Sequence, residues 1–286
     1  MKSLLAMSLM LSSCLLVGCG SFRPPAPEEL EELAAYLFAN VNEDEGALAE
    51  GAENLYAYLL EDLEAVEAGY SVWTLTEESV DALDCQDRRA DSLRGVTVAT
   101  LSPHPPEDIA MVLTLGDFAV ISSSVLKRYE RTYMRNVDED RPDCFYRQEC
   151  AFVEANNRTV TKSFSIEARN WIQYRWVDTA LGPVLFHRTW LLSPSRGSLL
   201  GISFGANSNY HVGVTMPHKG GSLRLHTTWF DMKLPNTPGL DEVWWQGEVL
   251  STLRNDSKKH DEWLTEHRDQ LLGPYVLPLN GYNSVP

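Results

Sequence analysis

The first third of this 286-residue sequence has almost no positive charge. Lys2 and Arg23 are the only bases in residues 1–85, against 17 acids. Residues 86–286 hold 22 bases and 23 acids, so nearly all of the net charge of −16 sits at the start. No dense Lys/Arg run occurs, which argues against nucleic-acid binding by general attraction. Only one long apolar run exists, from residue 3 onward, which excludes a polytopic membrane protein. Cysteine is sparse: of five, Cys14 and Cys19 lie in or just after that run, leaving Cys85, Cys144 and Cys150. There is no phosphate loop GxxxxGK[ST], no GxGxxG and no HExxH, and no internal repeat. What is present is core-forming material. Hydrophobic residues make up 44% and aromatics 10%, which excludes disorder throughout.

Met1–Gly20 begins with Lys2 and runs apolar from Leu4 to Val17. That length suits a signal segment and is short for a membrane span of about 20 residues. It ends in Leu16-Val17-Gly18-Cys19, which resembles the lipobox of bacterial lipoproteins. The resemblance implies cleavage after Gly18 and acylation of Cys19 by diacylglycerol and palmitate. Gly20, in place of Asp, implies the outer membrane of a Gram-negative bacterium. Two or more acyl chains make such an anchor stable. Residues 19–27, with three prolines, form a tether.

Apolar residues at spacings of three and four predict a helix over Glu28–Val41 and another over Ala47–Ala68. Glu50, Glu53, Glu61, Glu64 and Glu67 make the opposite face of the second helix acidic. This arm, residues 28–69, is either a solvated face or a surface for an envelope protein partner. Strands are expected near Tyr70–Leu75 and Gly95–Leu101, then a short helix opened by Pro105-Pro106-Glu107-Asp108. Further strands are read at 145–154, 159–169, 171–178, 184–193, 208–215 and 222–232. Asn156-Asn157, Leu181–Pro183 and Pro217–Gly221 are read as turns. Leu240–Arg268 is one helix, or two broken near Asn255-Asp256. Residues 70–270 make one domain, and 271–286 read as C-terminal coil.

Two stretches carry a second resemblance. SPHPPEDIAMVLT (102–114) and SLRLHTTWFDMKLP (222–235) resemble the entry to the first inner helix and the last strand of the START-like, helix-grip (SRPBCC) superfamily. Coverage is about residues 46–268. The resemblance implies an α+β fold, a curved antiparallel sheet wrapping a long C-terminal helix, preceded here by the acidic helices. It also implies an apolar tunnel for a small molecule or lipid, and a non-enzymatic role. The expected tunnel lining is Trp171, Trp176, Phe186, Trp190, Trp229 and Trp245. Arg169, Arg175 and Arg188 stand either as cations for an acidic head group or as solvated charges.

No catalytic residue, metal site or cofactor is assigned. His211 and His226 fall on strands flanking a hairpin and His218 lies at its turn, but three or four converging ligands are not evident. His260 and His267 share a helix face. The address permits disulfides. A Cys144–Cys150 bond is expected if the intervening residues turn, and Cys85 with either is equally allowed. A structural or interaction lipoprotein, and less readily a periplasmic hydrolase, are the alternatives.

Overall fold

The structure is a computed structural model that describes residues 25–81, 83–86, 90, 93–122, 125–135, 143–162, 165–199, 202–233 and 242–272. The signal segment, Cys19 and residues 273–286 lie outside the described residues, as does the Trp245 side chain.

The chain opens with α1 (Leu30–Asn40), α2 (Glu45–Glu61) and α3 (Leu63–Ala68). The Asp44 side chain accepts a hydrogen bond from Gly46 N at 2.6 Å and starts α2. The second expected helix is therefore two, because Asp62 leaves the helical region between them at φ −135° and ψ 40°. Then follow β1 (Tyr70–Val72), α4 (Glu77–Asp81), β2 (Arg94–Ser102), α5 (Pro106–Leu113) and α6 (Ala119–Ser122). Pro106 opens α5, with Glu107 and Asp108 in its first turn, as expected from proline tolerance and the helix dipole.

The remainder is β3 (Leu126–Arg135), α7 (Asp143–Tyr146), β4 (Phe152–Thr161), β5 (Glu167–Thr179), β6 (Gly182–Leu191), β7 (Gly197–Leu199), β8 (Ile202–His218), β9 (Gly221–Lys233) and α8 (Glu242–Leu272). The sheet runs β1-β2-β9-β8-β6-β5-β4-β3, with β7 paired to β8, and every pairing is antiparallel. This is an α+β arrangement with one long terminal helix against the sheet, consistent with the helix-grip expectation. α8 is continuous through Asn255-Asp256.

Some elements differ from the sequence reading. Asn156-Asn157 is not a turn; it sits mid-strand in β4, where Asn157 pairs with Asn170. The segment from Cys144 starts as helix α7, and β4 begins only at Phe152. β3 has no counterpart among the strands expected from sequence. Its sequence, LKRYERTYMR, places charges on the free edge of the sheet, which discourages pairing with another chain.

The helices occupy both faces. Leu30, Leu33, Leu37, Leu48, Leu55 and Leu59 are fully buried against Val177, Val184, Phe186, Val214 and Leu225 on one face. Each such burial is worth about 1.5–3 kcal/mol. The acidic helices are therefore a layer of the fold. Some of their acids work within it: Glu45 accepts from Asp178 N and Glu53 from Ala180 N, at the β5–β6 turn. On the other face lies α8. Ser102 Oγ donates to Asp261 at 2.6 Å, and Arg268 pairs with the buried Asp108 at 2.5 Å. Two points along α8 are thus tied down.

A histidine-lined cavity between the sheet and the terminal helix

Alternation along the strands decides which side chains face α8. On β6 these include His187 and Thr189, on β8 His211 and Gly213, and on β9 Arg224 and His226. The register aligns them in rows. His187 lies opposite Gly213, and Gly213 opposite His226. His211 lies opposite Thr189 and Thr228, one step along. A two-residue turn with Lys219 at φ 48° and Gly220 at φ 83° fixes the β8–β9 half of this register.

Gly213 makes the convergence physically allowed. A Cβ at this position would lie 1.9 Å from His187 Cε1, so the ring occupies the space a side chain would take. His187 Nε2 and His211 Nε2 are 3.0 Å apart. Ring centroids are 5.0 Å apart for His187–His211, 5.7 Å for His211–His226 and 6.0 Å for His187–His226. One ligating nitrogen from each ring lies within 4.8 Å of the other two. The sequence reading, which has no close histidine cluster, is corrected here. It pairs His211 with His226 and misses His187. His218 is not part of the group; its Nδ1 meets Tyr56 Oη at 2.9 Å.

These rings border a partly open cavity of about 540 Å³ lined by β3, β4, β5, β6, β8, β9, the α5–α6 region and residues 252–260 of α8. Its lining is mixed. Leu113, Phe118, Val125, Leu126, Ile172 and Leu253 are apolar; Asn157, Thr159, Asn170 and Thr189 are polar. Two cations border it: Arg131 from β3, and Lys259 from α8, whose ammonium lies 3.8 Å from the carboxylate of Asp256, also in the lining. Arg131 donates to Asn157 Oδ1, to the carbonyls of Leu113 and Leu115, and to Tyr174 Oη. Among the described residues no carboxylate pairs with it. Burial pushes the Tyr174 phenol up to about 12, so it stays a neutral donor.

Burial also keeps the histidines neutral. His211 is pushed down to about 4 by desolvation. His187, His226 and His260 are held well below the usual range by burial first; the Arg224 charge adds to this for all three, neighbouring rings for His187 and His226, and Lys259 for His260. Arg224 is fully buried; its Nη2 meets His260 Nδ1 at 3.1 Å and its Nη1 lies 3.8 Å from Asp261.

A serine–histidine contact exists here too. Ser257 Oγ and His226 Nε2 are 3.1 Å apart. A hydrolytic dyad needs the histidine to become cationic, with a carboxylate to stabilise it. His226 is instead buried, and Arg224 and three further imidazoles (His211, His187 and His260) also oppose that charge. Gly201-Ile202-Ser203-Phe204-Gly205 has the spacing of a nucleophile elbow. Residues 202–204 lie in β8 paired to β7, without the strand–turn–helix that the motif requires. Ser124-Val125-Leu126-Lys127 has the SxxK spacing, but Ser124 lies outside the described residues and Lys127 is exposed.

The aromatics expected to line a tunnel lie elsewhere. None of Trp171, Trp176, Phe186, Trp190 and Trp229 borders the cavity. Phe186 and Trp229 are buried under the acidic helices, and Trp171 stacks on Trp190 at 6.3 Å on that same face. Trp176 faces α8, but its Nε1 donates to Phe145 O at 2.7 Å and packs it on α7. Strand alternation is the cause: Trp171 on β5, Phe186 and Trp190 on β6, and Trp229 on β9 all point to the sheet face away from α8. The arginines divide likewise. Arg169 is exposed. Arg175 donates to the Val41 and Glu43 carbonyls, and Arg188 to Gln173 Oε1 and Phe38 O, all on the α1–α2 side. Cys144 and Cys150 are disulfide-bonded with Cα atoms 5.2 Å apart, made possible by the α7 turn. Cys85 is outside that bond, buried with its Sγ 3.8 Å from Tyr210 Oη.

No protein-family model matches the chain, and no curated protein matches it in sequence. Solved structures resemble it distantly in fold. TTHA0849 from Thermus thermophilus is 15% identical with a TM-score of 0.37, covering 59% of this chain and 94% of its own. The STAR-related lipid transfer protein fragment from Xanthomonas axonopodis is 10% identical with a TM-score of 0.39, covering 62% and 96%. Ara h 8.0201 is 12% identical with a TM-score of 0.33, covering 61% and 99%. Likeness at this level carries no ligand or activity to this chain.

Proposed function

We propose that this protein is a ligand-binding lipoprotein, held at the outer membrane through Cys19, whose cavity takes a small amphipathic molecule with an acidic group. The observation that carries the reading is Arg131, a guanidinium bordering a partly apolar, partly open cavity with no carboxylate paired to it among the described residues, whereas the Asp256 carboxylate in the same lining lies by Lys259. A carboxylate on the ligand supplies the missing counter-charge, and the apolar wall of the cavity takes the ligand's body. The volume, about 540 Å³, falls within the range of roughly 300–1,000 Å³ usual for small-molecule sites, below its middle. This sharpens the expected apolar ligand towards a single-chain or ring-sized acid. Against the hydrolytic alternative stands the burial of His226 beside Arg224, which disfavours the cationic form that a general base must reach.

The test is native mass spectrometry of the full chain purified in detergent. A stoichiometric small acid, released on denaturation and absent from Thr189→Trp, supports the reading. A chain that carries nothing and takes up no medium-chain fatty acid or aromatic acid counts against it.

A further inference from the structure

We propose that His187, His211 and His226 form a binding site for one divalent transition-metal ion, with its remaining coordination position facing the cavity. The inference is independent of which organic ligand the cavity holds.

Four observations carry it. The three imidazoles come from three adjacent strands, so the sheet backbone fixes their origins. Sites on regular elements hold their geometry better than sites on loops. The His187 and His211 Nε2 atoms face one another at 3.0 Å. Two nitrogens at about 2.0–2.1 Å from a tetrahedral zinc are separated by about 3.3 Å, so this pair already has a metal-sized bite. The third nitrogen, within 4.8 Å, closes by about 1.5 Å of ring movement. Gly213, the residue between His187 and His226 in the row, has no side chain to block that movement.

The remaining observation concerns the cost of the cluster without a metal. A hydrogen bond between two facing Nε2 atoms uses one proton for two rings. His187 is buried, and its Nδ1 has no hydrogen-bond partner. Polar groups of this kind are normally satisfied when buried. Two buried imidazoles and a partly buried one around a glycine make an expensive way to fill a core, whereas imidazole is a good ligand for zinc, copper, iron and nickel. The charge of Arg224, the nearest cation on β9, is met by Asp261 at 3.8 Å. Three protein ligands leave a fourth position, and it opens where the cavity lies. A water or an anionic oxygen fits there.

The experiment uses the full chain in detergent, stripped with chelator and then titrated with Zn²⁺ alone by calorimetry. One ion per chain is expected. Co²⁺ in its place should give the visible absorption of a low-coordinate nitrogen site, displaced by Zn²⁺. His211→Asn, the least buried of the three, should weaken binding on the order of 100-fold. His218→Asn, at the hairpin turn, should leave it unchanged. X-ray absorption of the zinc-loaded natural chain needs no variant and should show three imidazole nitrogens. The proposal is overturned if the folded natural chain takes no stoichiometric Zn²⁺. It is equally overturned if His211→Asn binds as well as the natural chain, or if the absorption spectrum lacks three imidazoles.

Discussion

Phe38→Ala asks whether the acidic helices are an appendage or a layer of the fold. Phe38 sits near the end of α1 and is fully buried. Its ring meets Tyr210 at 5.8 Å and Trp229 at 5.6 Å, both edge-on, and the Arg188 guanidinium lies 5.4 Å from its centroid. Its carbonyl accepts from Arg188 at 2.9 Å. Truncating a buried phenylalanine costs about 3–5 kcal/mol through lost transfer energy and the cavity left behind. The edge-on ring pairs and the cation above the ring place this site towards the upper end, since each such contact adds roughly 0.5–1.5 kcal/mol. For a chain of this size the loss corresponds to a fall in Tm of about 10 °C. Equilibrium unfolding in urea, followed by tryptophan fluorescence, reads it directly because Trp190 and Trp229 belong to the same cluster. A single transition with a lower midpoint and unchanged slope is expected. A loss under about 1 kcal/mol, or a separate early transition for the helices with the sheet unaffected, would refute the reasoning. Deleting residues 28–69 should on the same grounds abolish cooperative folding rather than leave an intact body.

Gly213→Ala places a methyl group where the His187 ring lies, and overpacking of this kind costs about 1–3 kcal/mol; thermal melts should show it, and a stability equal to the natural chain would mean that the ring moves freely. Acid should destabilise the metal-free chain. The folded state holds its inner histidines neutral among Arg224, Lys259, Asp256 and Asp261 while the unfolded chain binds protons below about 6.5, so stability present at pH 7.5 is lost as pH falls towards about 4. His211 alone contributes on the order of 2 kcal/mol, reduced because its ring borders the cavity, and urea midpoints that match at pH 7.5 and 5 would contradict this. Reducing Cys144–Cys150, six residues apart, should cost about 2 kcal/mol of stability by releasing the small loop that packs Phe145 on Trp176, and a melt unchanged by dithiothreitol would show that α7 holds without it.

Local pattern made much of the fold legible. Period-3.6 apolar spacing located α1, α2 and α8, and Pro105-Pro106 with the following acids located α5. Most β-rich segments were legible from alternation and turn residues. β3 was not, because an edge strand facing solvent carries charge in place of the apolar alternation that marks a strand. Asn156-Asn157 misled for the converse reason. Asparagine favours turns locally, but Asn157 is held in β4 by pairing with Asn170 and by the Arg131 side chain, neither of which is near in sequence.

The sequence by itself determined the class of the protein: an acidic helical start, a long antiparallel meander and a terminal helix, with cysteines few enough to leave one bridge. Those features rest on interactions within a few residues, which composition and spacing record. The site was decided by tertiary structure. Which aromatics face α8 depends on strand parity, and a one-residue error in register inverts the assignment. The histidine cluster depends on it more strictly. The β8–β9 turn brings His226 opposite Gly213, a pairing that can be counted outward from Lys219-Gly220. His187 joins them only through the β6–β8 pairing, which spans the connection from Leu192 to Gly201 and has no short turn to set its register. The convergence of three imidazoles over a glycine is thus a property of the assembled sheet, where three strands share one row.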